Sequence, residues 1–337
     1  MSAASSRAAA GHAFGRRLSL GVEEELFLVD PETWDLAPRV ERILGPDGLK
    51  TELFAAVVET NTPVCASPVE VLAELRRLRA TVREAAEREG TAVAATGSHP
   101  FAVPEEQAIV PEPRYVKMVE EMGARALRQL VSGLHVHIGV GSFAECLERL
   151  EAILPWLPAV LALSVNSPYL AGEADGTLSA RAGRLLELPR GGPPPPLADP
   201  EDWQRVVDES GEDYTRIWWD VRPHPRLGTL EVRMPDQPTA VERSAAFAAL
   251  LQALVEAAEP AREPLDRATY AEARAAAARG EAATGDLLAL VEPAARRLGS
   301  WELVEVLREP PEALRQLEVG RRDGLAAAAA DVVSRSV

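Results

Sequence analysis

Four groups of residues in this 337-residue chain have types and spacings that could do chemistry. The run Gly21-Val22-Glu23-Glu24-Glu25-Leu26-Phe27-Leu28-Val29-Asp30 alternates as a β-strand does. Strand side chains alternate faces, so Glu23 and Glu25 project together with Phe27 and Val29. Glu24 points the other way with Val22, Leu26 and Leu28, a face that reads as buried. Two carboxylates at this spacing repel unless something positive lies between them, and a divalent metal ion fills that role. By itself the pair reads equally well as the solvated acidic face of an edge strand. Glu52 and Glu59 come next. Glu59 stands among Val57, Val58 and Thr60, where a carboxylate needs a partner. A metal and an ion pair with an arginine both answer that need.

The third group is Gly133-Leu134-His135-Val136-His137-Ile138-Gly139, where His-x-His on a strand puts both imidazoles on one face. No cysteine or third histidine stands nearby at a zinc spacing. A carboxylate-rich site with an imidazole favours magnesium or manganese. The fourth group is Thr229-Leu230-Glu231-Val232-Arg233-Met234-Pro235-Asp236, a strand with Glu231 and Arg233 on one face. Alone, it is an ordinary surface ion pair. Three strands that each oppose a polar to an apolar face would line a polar concave surface. Arg114, Arg128, Arg181, Arg222 and Arg233 lie in or beside these segments, and guanidinium groups bind carboxylate and phosphate bidentately. The chain has no G-x-x-x-x-G-K-[ST] and no G-x-G-x-x-G that opens a helix, so a nucleotide would be held by metal and arginine on a sheet. Nor does it have a G-x-S-x-G elbow.

The elements that must position these residues are strand-like runs near 18–29, 55–60, 91–96, 131–140, 216–222 and 228–234. Helical patterns lie between them, from Pro68 to about Glu89, from about 113 to 130 and from about 143 to 163. Pro155 and Pro158 divide the last of these. From 239 onward the pattern is almost all helical. The predicted class is α+β: a mostly antiparallel sheet with helices packed on one face and a helical C-terminal third. Residues 1–17 are Ala/Ser-rich without an apolar stretch and read as a disordered tail ahead of one domain over 18–337. Net charge is −16, which argues against nucleic acid and anionic membranes as partners. Only two cysteines occur, Cys65 and Cys146, so a reduced compartment and a cytoplasmic location are expected.

Five segments also stand in an order that resembles a known family. They are Gly21-Val22-Glu23-Glu24-Glu25, Val58-Glu59-Thr60-Asn61-Thr62-Pro63, Thr96-Gly97-Ser98-His99-Pro100-Phe101, Gly133-Leu134-His135-Val136-His137 and Leu230-Glu231-Val232-Arg233. Together they are similar to type 2 glutamate–cysteine ligases, the carboxylate–amine ligases. The resemblance implies a glutamine-synthetase-like catalytic domain whose concave sheet face holds magnesium ions and ATP. It also implies ATP-dependent amide formation between a carboxylate and an amine, with glutamate and cysteine as default substrates. By position it makes Glu23, Glu25, Glu52, Glu59, His135 and Glu231 metal ligands. His135, His137, Arg181 and Arg233 become nucleotide-binding residues, and Glu59 and Arg233 catalytic ones. A homodimer is a further expectation, with the Ala/Leu-rich helix near 239–258 as a candidate interface. One stretch departs from the family pattern. Gly172-Glu173-Ala174-Asp175-Gly176 and Ser179-Ala180-Arg181 stand where the family carries Gly-Arg-Asp-Thr-Gly and Ser-Tyr-Arg, in a loop expected to contact substrate. Its changes leave open a different amino-acid pair, or a nucleotide-binding homologue with weak or regulatory activity. A zinc hydrolase built on His135 and His137 is disfavoured by the surplus of carboxylates.

Overall fold

The computed structural model describes residues 13–45, 48–211, 213–259 and 265–336. Its strands are β1 (Leu20–Val29), β2 (Leu49–Thr51), β3 (Val57–Asn61), β4 (Ala92–Ala94), β5 (Leu134–Gly139), β6 (Gly191–Gly192), β7 (Trp218–Trp219), β8 (Val221–His224) and β9 (Thr229–Val232). Seven of them form one antiparallel sheet in the order β2-β3-β1-β5-β9-β8, with β4 paired to the end of β1. β6 and β7 make a separate parallel pair.

Alternation along β1 sets the two faces apart. Val22, Glu24, Leu26 and Leu28 are fully buried. The helices Pro68–Arg88 and Val241–Ala257 lie across that side of the sheet. The first is framed locally. The Ser67 side chain accepts from the Glu70 N–H, Pro68 opens the first turn, and Gly90 at φ +67 follows its end. The second is buried almost continuously from Arg243 to Val255, as a helix apolar all round must be. It is therefore a core helix and offers no surface for the dimer contact expected there. Helices do not stay on one face only. Phe27 and Val29 turn the Glu23 and Glu25 face apolar toward one end, where they join a second core with Val57, Phe54 and Tyr115 of the helix Pro113–Met122.

Other expectations shift in detail. The run 113–130 is broken at Gly123 (φ +56), which separates Pro113–Met122 from Ala124–Leu127. The prolines divide 143–163 into Phe143–Ile153, a 3-10 turn and Leu157–Ser164. Residues 1–12 of the expected tail lie outside the described residues. Residues 13–17 are placed against the sheet, which corrects the boundary at 18. Gly15 N–H donates to Val140 O at 2.9 Å, and the Phe14 ring meets Phe143 edge-on at 6.0 Å. One aromatic ring and a strand end to bond to outweigh the Ala/Ser-rich composition around them. Among the described residues, no helix is long and apolar enough to cross a membrane.

Glu24 is paired under the sheet. Arg79 donates through Nη2 to Oε1 at 2.6 Å and through Nε to Oε2 at 2.9 Å. Ser244 Oγ and Gln237 Nε2 donate to the same carboxylate at 2.6 and 2.8 Å. Arg79 also reaches the carbonyls of Pro238, Thr239 and Ser336. Breaking such a pair strands a charge. Arg79→Met is expected to lower stability by about 3–5 kcal/mol in urea unfolding. Arg77→Met, at an exposed pair with Glu74, is expected to cost no more than about 1 kcal/mol.

His99, from the third segment of the resemblance, is buried away from the polar face. Its Nε2 donates to Trp34 O at 2.8 Å and its Nδ1 accepts from Ala102 N–H at 3.1 Å, which fixes a neutral ring. Burial lowers its pKa from 6.5 to about 4. The unfolded chain therefore takes up this proton first as pH falls. The contribution is complete above about pH 6.5 and is lost between there and about pH 4, by on the order of 3 kcal/mol. His99→Gln should flatten that part of the stability–pH curve, measured by urea unfolding at pH 7 and 4.5.

Candidate active site

Strand register brings the polar residues into a diagonal band across the sheet. Lys50 of β2 stands opposite Glu59 of β3, and Glu59 opposite Glu25 of β1. Glu23 pairs with His135 of β5, His137 with Glu231 of β9, and Glu231 with Arg222 of β8. Of these, Glu23, Glu25, Glu59, His135 and Arg222 line a cavity of about 470 Å³. Helix Pro113–Met122 adds Arg114, Tyr115 and Lys117 to its wall, the segment before β7 adds Thr215 and Arg216, and β7 adds Trp218.

Two clusters emerge. Glu23, His137 and Glu231 each offer an atom within 4.8 Å of the others, and so do Glu25, Glu52 and Glu59. His135 lies between them, with Nδ1 3.1 Å from Glu23 Oε2 and Nε2 3.8 Å from Glu25 Oε1. The resemblance gives a ligand role to His135 and only a nucleotide role to His137. The structure groups His137 with the carboxylates, because the β5–β9 register sets it directly across from Glu231.

The clusters carry their charge differently. Burial alone would raise the pKa of Glu231, but Arg222 and Arg233 hold it well below the carboxylate range. Arg222 binds it through Nε and Nη2 at 2.7 and 3.2 Å, and Arg233 Nη1 adds a third bond. Glu23 is lowered likewise, with His135 and His137 outweighing its burial. His137 goes up: burial opposes its charged form, but Glu23 and Glu231 more than offset that. In the second cluster, burial followed by repulsion from Glu59 and Glu25 raises Glu52 well above the usual range. Lys50 Nζ, 3.4 Å from Glu59, gives this group a largely exposed counter-charge. Like charges set directly opposite, as Glu25 and Glu59 are, disfavour the sheet.

The donors suit a hard divalent cation. Oxygen ligands dominate, with one imidazole, as magnesium or manganese accepts. His137 Nε2 is buried without a hydrogen-bond partner, while its Nδ1 lies 3.0 Å from Thr229 Oγ1. A neutral ring that donates from Nδ1 to Thr229 Oγ1 would leave the lone pair of Nε2, 3.6 Å from Glu23 Oε1, available to a cation.

Arg181 also lines the cavity, but its guanidinium is spent on the carbonyls of Arg233, Met234 and Pro235. Arg114 is at the wall, bonded to Glu112 and stacked on Tyr115. Arg128 is outside, paired with Glu187. The loop 172–176 is away from the cavity: Gly172 N–H donates to Pro100 O, and Leu170 pairs with Glu173. Arg222 stands out in the sequence only for its proximity to the candidate segments. Its role comes from the β8–β9 hairpin, which sets it directly across from Glu231, nine residues further on. The signal that could have found it is Gly228, at φ +68, which marks the turn between the two strands.

Two groups of three metal-capable side chains thus lie on one face of an antiparallel sheet, with Arg222 and Arg233 bonded to Glu231 beside the first. The chain belongs to glutamate–cysteine ligase family 2 (GCS2), whose sequence profile matches residues 19–327. A relative from Rubrobacter xylanophilus, provisionally named glutamate–cysteine ligase 2-3, is 40% identical over 91% of this chain and 93% of its own length. A provisionally named glutamate–cysteine ligase 2 from Herpetosiphon aurantiacus is 36% identical over 70% of this chain and 64% of its own. The fold is similar to that of a glutamate–cysteine ligase from Francisella tularensis solved with AMP, at a TM-score of 0.71 and 14% identity, covering 96% of this chain and 89% of that one.

Titration with Mn²⁺, followed by the EPR signal of the free ion, is expected to reveal two classes of site. Glu52→Gln should weaken one class by at least about tenfold and spare the other, and His137→Ala should do the reverse.

Proposed function

We propose that this chain is an ADP-forming carboxylate–amine ligase, with glutamate and cysteine as the first pair to test. The observation that carries the reading is the pairing of two carboxylate clusters with Arg233 on one concave face. A carboxylate does not condense with an amine in water, because its leaving group is too poor. Transfer of the γ-phosphoryl group of ATP to a carboxylate oxygen gives an acyl phosphate and ADP. The amine nitrogen then attacks the acyl carbon, phosphate leaves, the nitrogen loses a proton and the amide remains.

Such transfer needs alignment and charge neutralisation more than a protein nucleophile. Glu23, His137 and Glu231 would hold one magnesium or manganese ion, and Glu25, Glu52 and Glu59 another. Bound there, the ions would supply positive charge to the ATP phosphates. His135, between the clusters, is suited to donate a hydrogen bond to a phosphate oxygen. Arg233 reaches Glu231 through Nη1 and so keeps its remaining donors for the transferring group. Arg222, bonded to Glu231 and to Ile217 O at 2.6 Å, holds that carboxylate in place.

The test is ADP release from ATP and magnesium across a panel of acids and amines. Release that depends on both an acid and an amine is expected. Glu59→Gln and Glu231→Gln should each lower it by about 10²-fold or more with the far-UV circular dichroism unchanged. Turnover like that of the wild type in both variants would sink the assignment of these ligands.

A further inference from the structure

The geometry points to Arg181 as a positioning residue that holds the backbone of Arg233, an inference that rests on the ligase reading above. Strand β9 ends at Val232, so Arg233 lies just past the ladder. Its peptide groups are held by other means. Arg233 N–H donates to Asp220 O at 2.8 Å, and Arg233 O accepts from Arg181 Nη2 at 2.9 Å. Arg181 Nη1 donates to Met234 O at 2.9 Å and Pro235 O at 3.0 Å. Three successive carbonyls thus converge on one planar fork. A guanidinium can serve them together, and an ammonium on a flexible stem cannot reproduce that spread.

Arg181 is itself anchored. Its N–H donates to Ser167 Oγ at 3.1 Å, and Ser167 Oγ donates to Asp236 Oδ2 at 2.7 Å. Arg274 donates through Nη1 to Ala182 O, and grips Asp220 through Nε at 2.8 Å and Nη2 at 3.1 Å. Asp220 is the residue that receives the Arg233 N–H. Arg233 is therefore slung between two buried arginines, directly from Arg181 and through Asp220 from Arg274. On its other side the Arg181 guanidinium lies against Gly133, where an added Cβ would collide with it. Gly133 N–H donates to Glu25 Oε2 at 2.6 Å. One side chain, only 2% exposed, thus spaces Arg233 from Glu25.

A double-substitution cycle on the full chain tests this, with Arg181→Lys, Arg233→Met and the pair read by ADP release at varied ATP. Arg181→Lys is expected to lower kcat by about 10²-fold. KM for ATP should stay within about twofold, and in the Arg233→Met background the same change should cost less than about twofold, because residues that act as a unit are not additive. A multiplied loss in the pair, or a raised KM with kcat held, would overturn the proposal and return Arg181 to ligand contact. A second readout needs no turnover. In nitrogen-15 NMR, the Arg233 Nε–H signal should shift or broaden in Arg181→Lys while that of Arg79 stays in place. If Arg181→Lys does not fold, Gly133→Ala displaces the same guanidinium and should move the same signal. An unmoved Arg233 signal overturns the proposal whatever the activity. A wild-type chain that releases no ADP with any acid and amine overturns the ligase reading instead.

Discussion

Beneath the sheet the Glu24 carboxylate meets the Arg79 guanidinium at 2.6 and 2.9 Å, and neither side chain has appreciable contact with solvent. This pair constrains what stands above it. Side chains alternate along β1, so a slip of one residue would carry Glu24 into the cavity and Glu23 or Glu25 into the core. Arg79 would lose its geometry, and a buried charge would be left without its partner. The carboxylate between the two site residues therefore ties β1 to its faces. Val22, Leu26 and Leu28 pull the same way through burial, but they would tolerate a shifted neighbour more readily than a charge does.

Above the sheet, the two clusters meet the problem of like charge in unlike ways. Glu231 is flanked by Arg222 and Arg233, and Glu23 by two imidazoles, and these neighbours hold both carboxyls below the usual range despite their burial. Glu59 has the partly exposed Lys50 beside it, and burial followed by repulsion from Glu59 and Glu25 pushes Glu52 well above the usual carboxylate range. A cation entering the first group must compete with arginines for Glu231. A cation entering the second would relieve the repulsion among its carboxylates. The same donor count thus gives two sites of different character, one restrained by fixed positive charge and the other short of it.

Much of this is legible in the sequence where the governing physics is local. Period-two alternation places Glu23 and Glu25 together, Glu24 opposite, and His135 beside His137. Prolines at 155 and 158 mark the division of a helix. What is not legible depends on pairing between distant segments. Whether His135 or His137 joins a cluster is decided by the register of β5 on β9. Arg79 lies in the middle of a helix rich in arginines, and nothing nearby distinguishes it from Arg76 or Arg77, which point to solvent. Arg181 reads as a ligand-binding arginine because its position matches a motif, but the turn after β9 offers it three carbonyls first. Loop 172–176 carries the clearest departures from the family pattern and yet lies on Pro100 and beside Leu325.

The partners of Arg79 also set an order in time. Glu24 is made early, and its arginine follows 55 residues later. The groups that complete the network are 159, 160 and 257 residues beyond Arg79, at Pro238, Thr239 and Ser336. The pair therefore draws its remaining partners from segments far beyond it in the chain. Local helices can form before these distant segments pack, but the surroundings of Glu24 and Arg79 are complete only once all of them have.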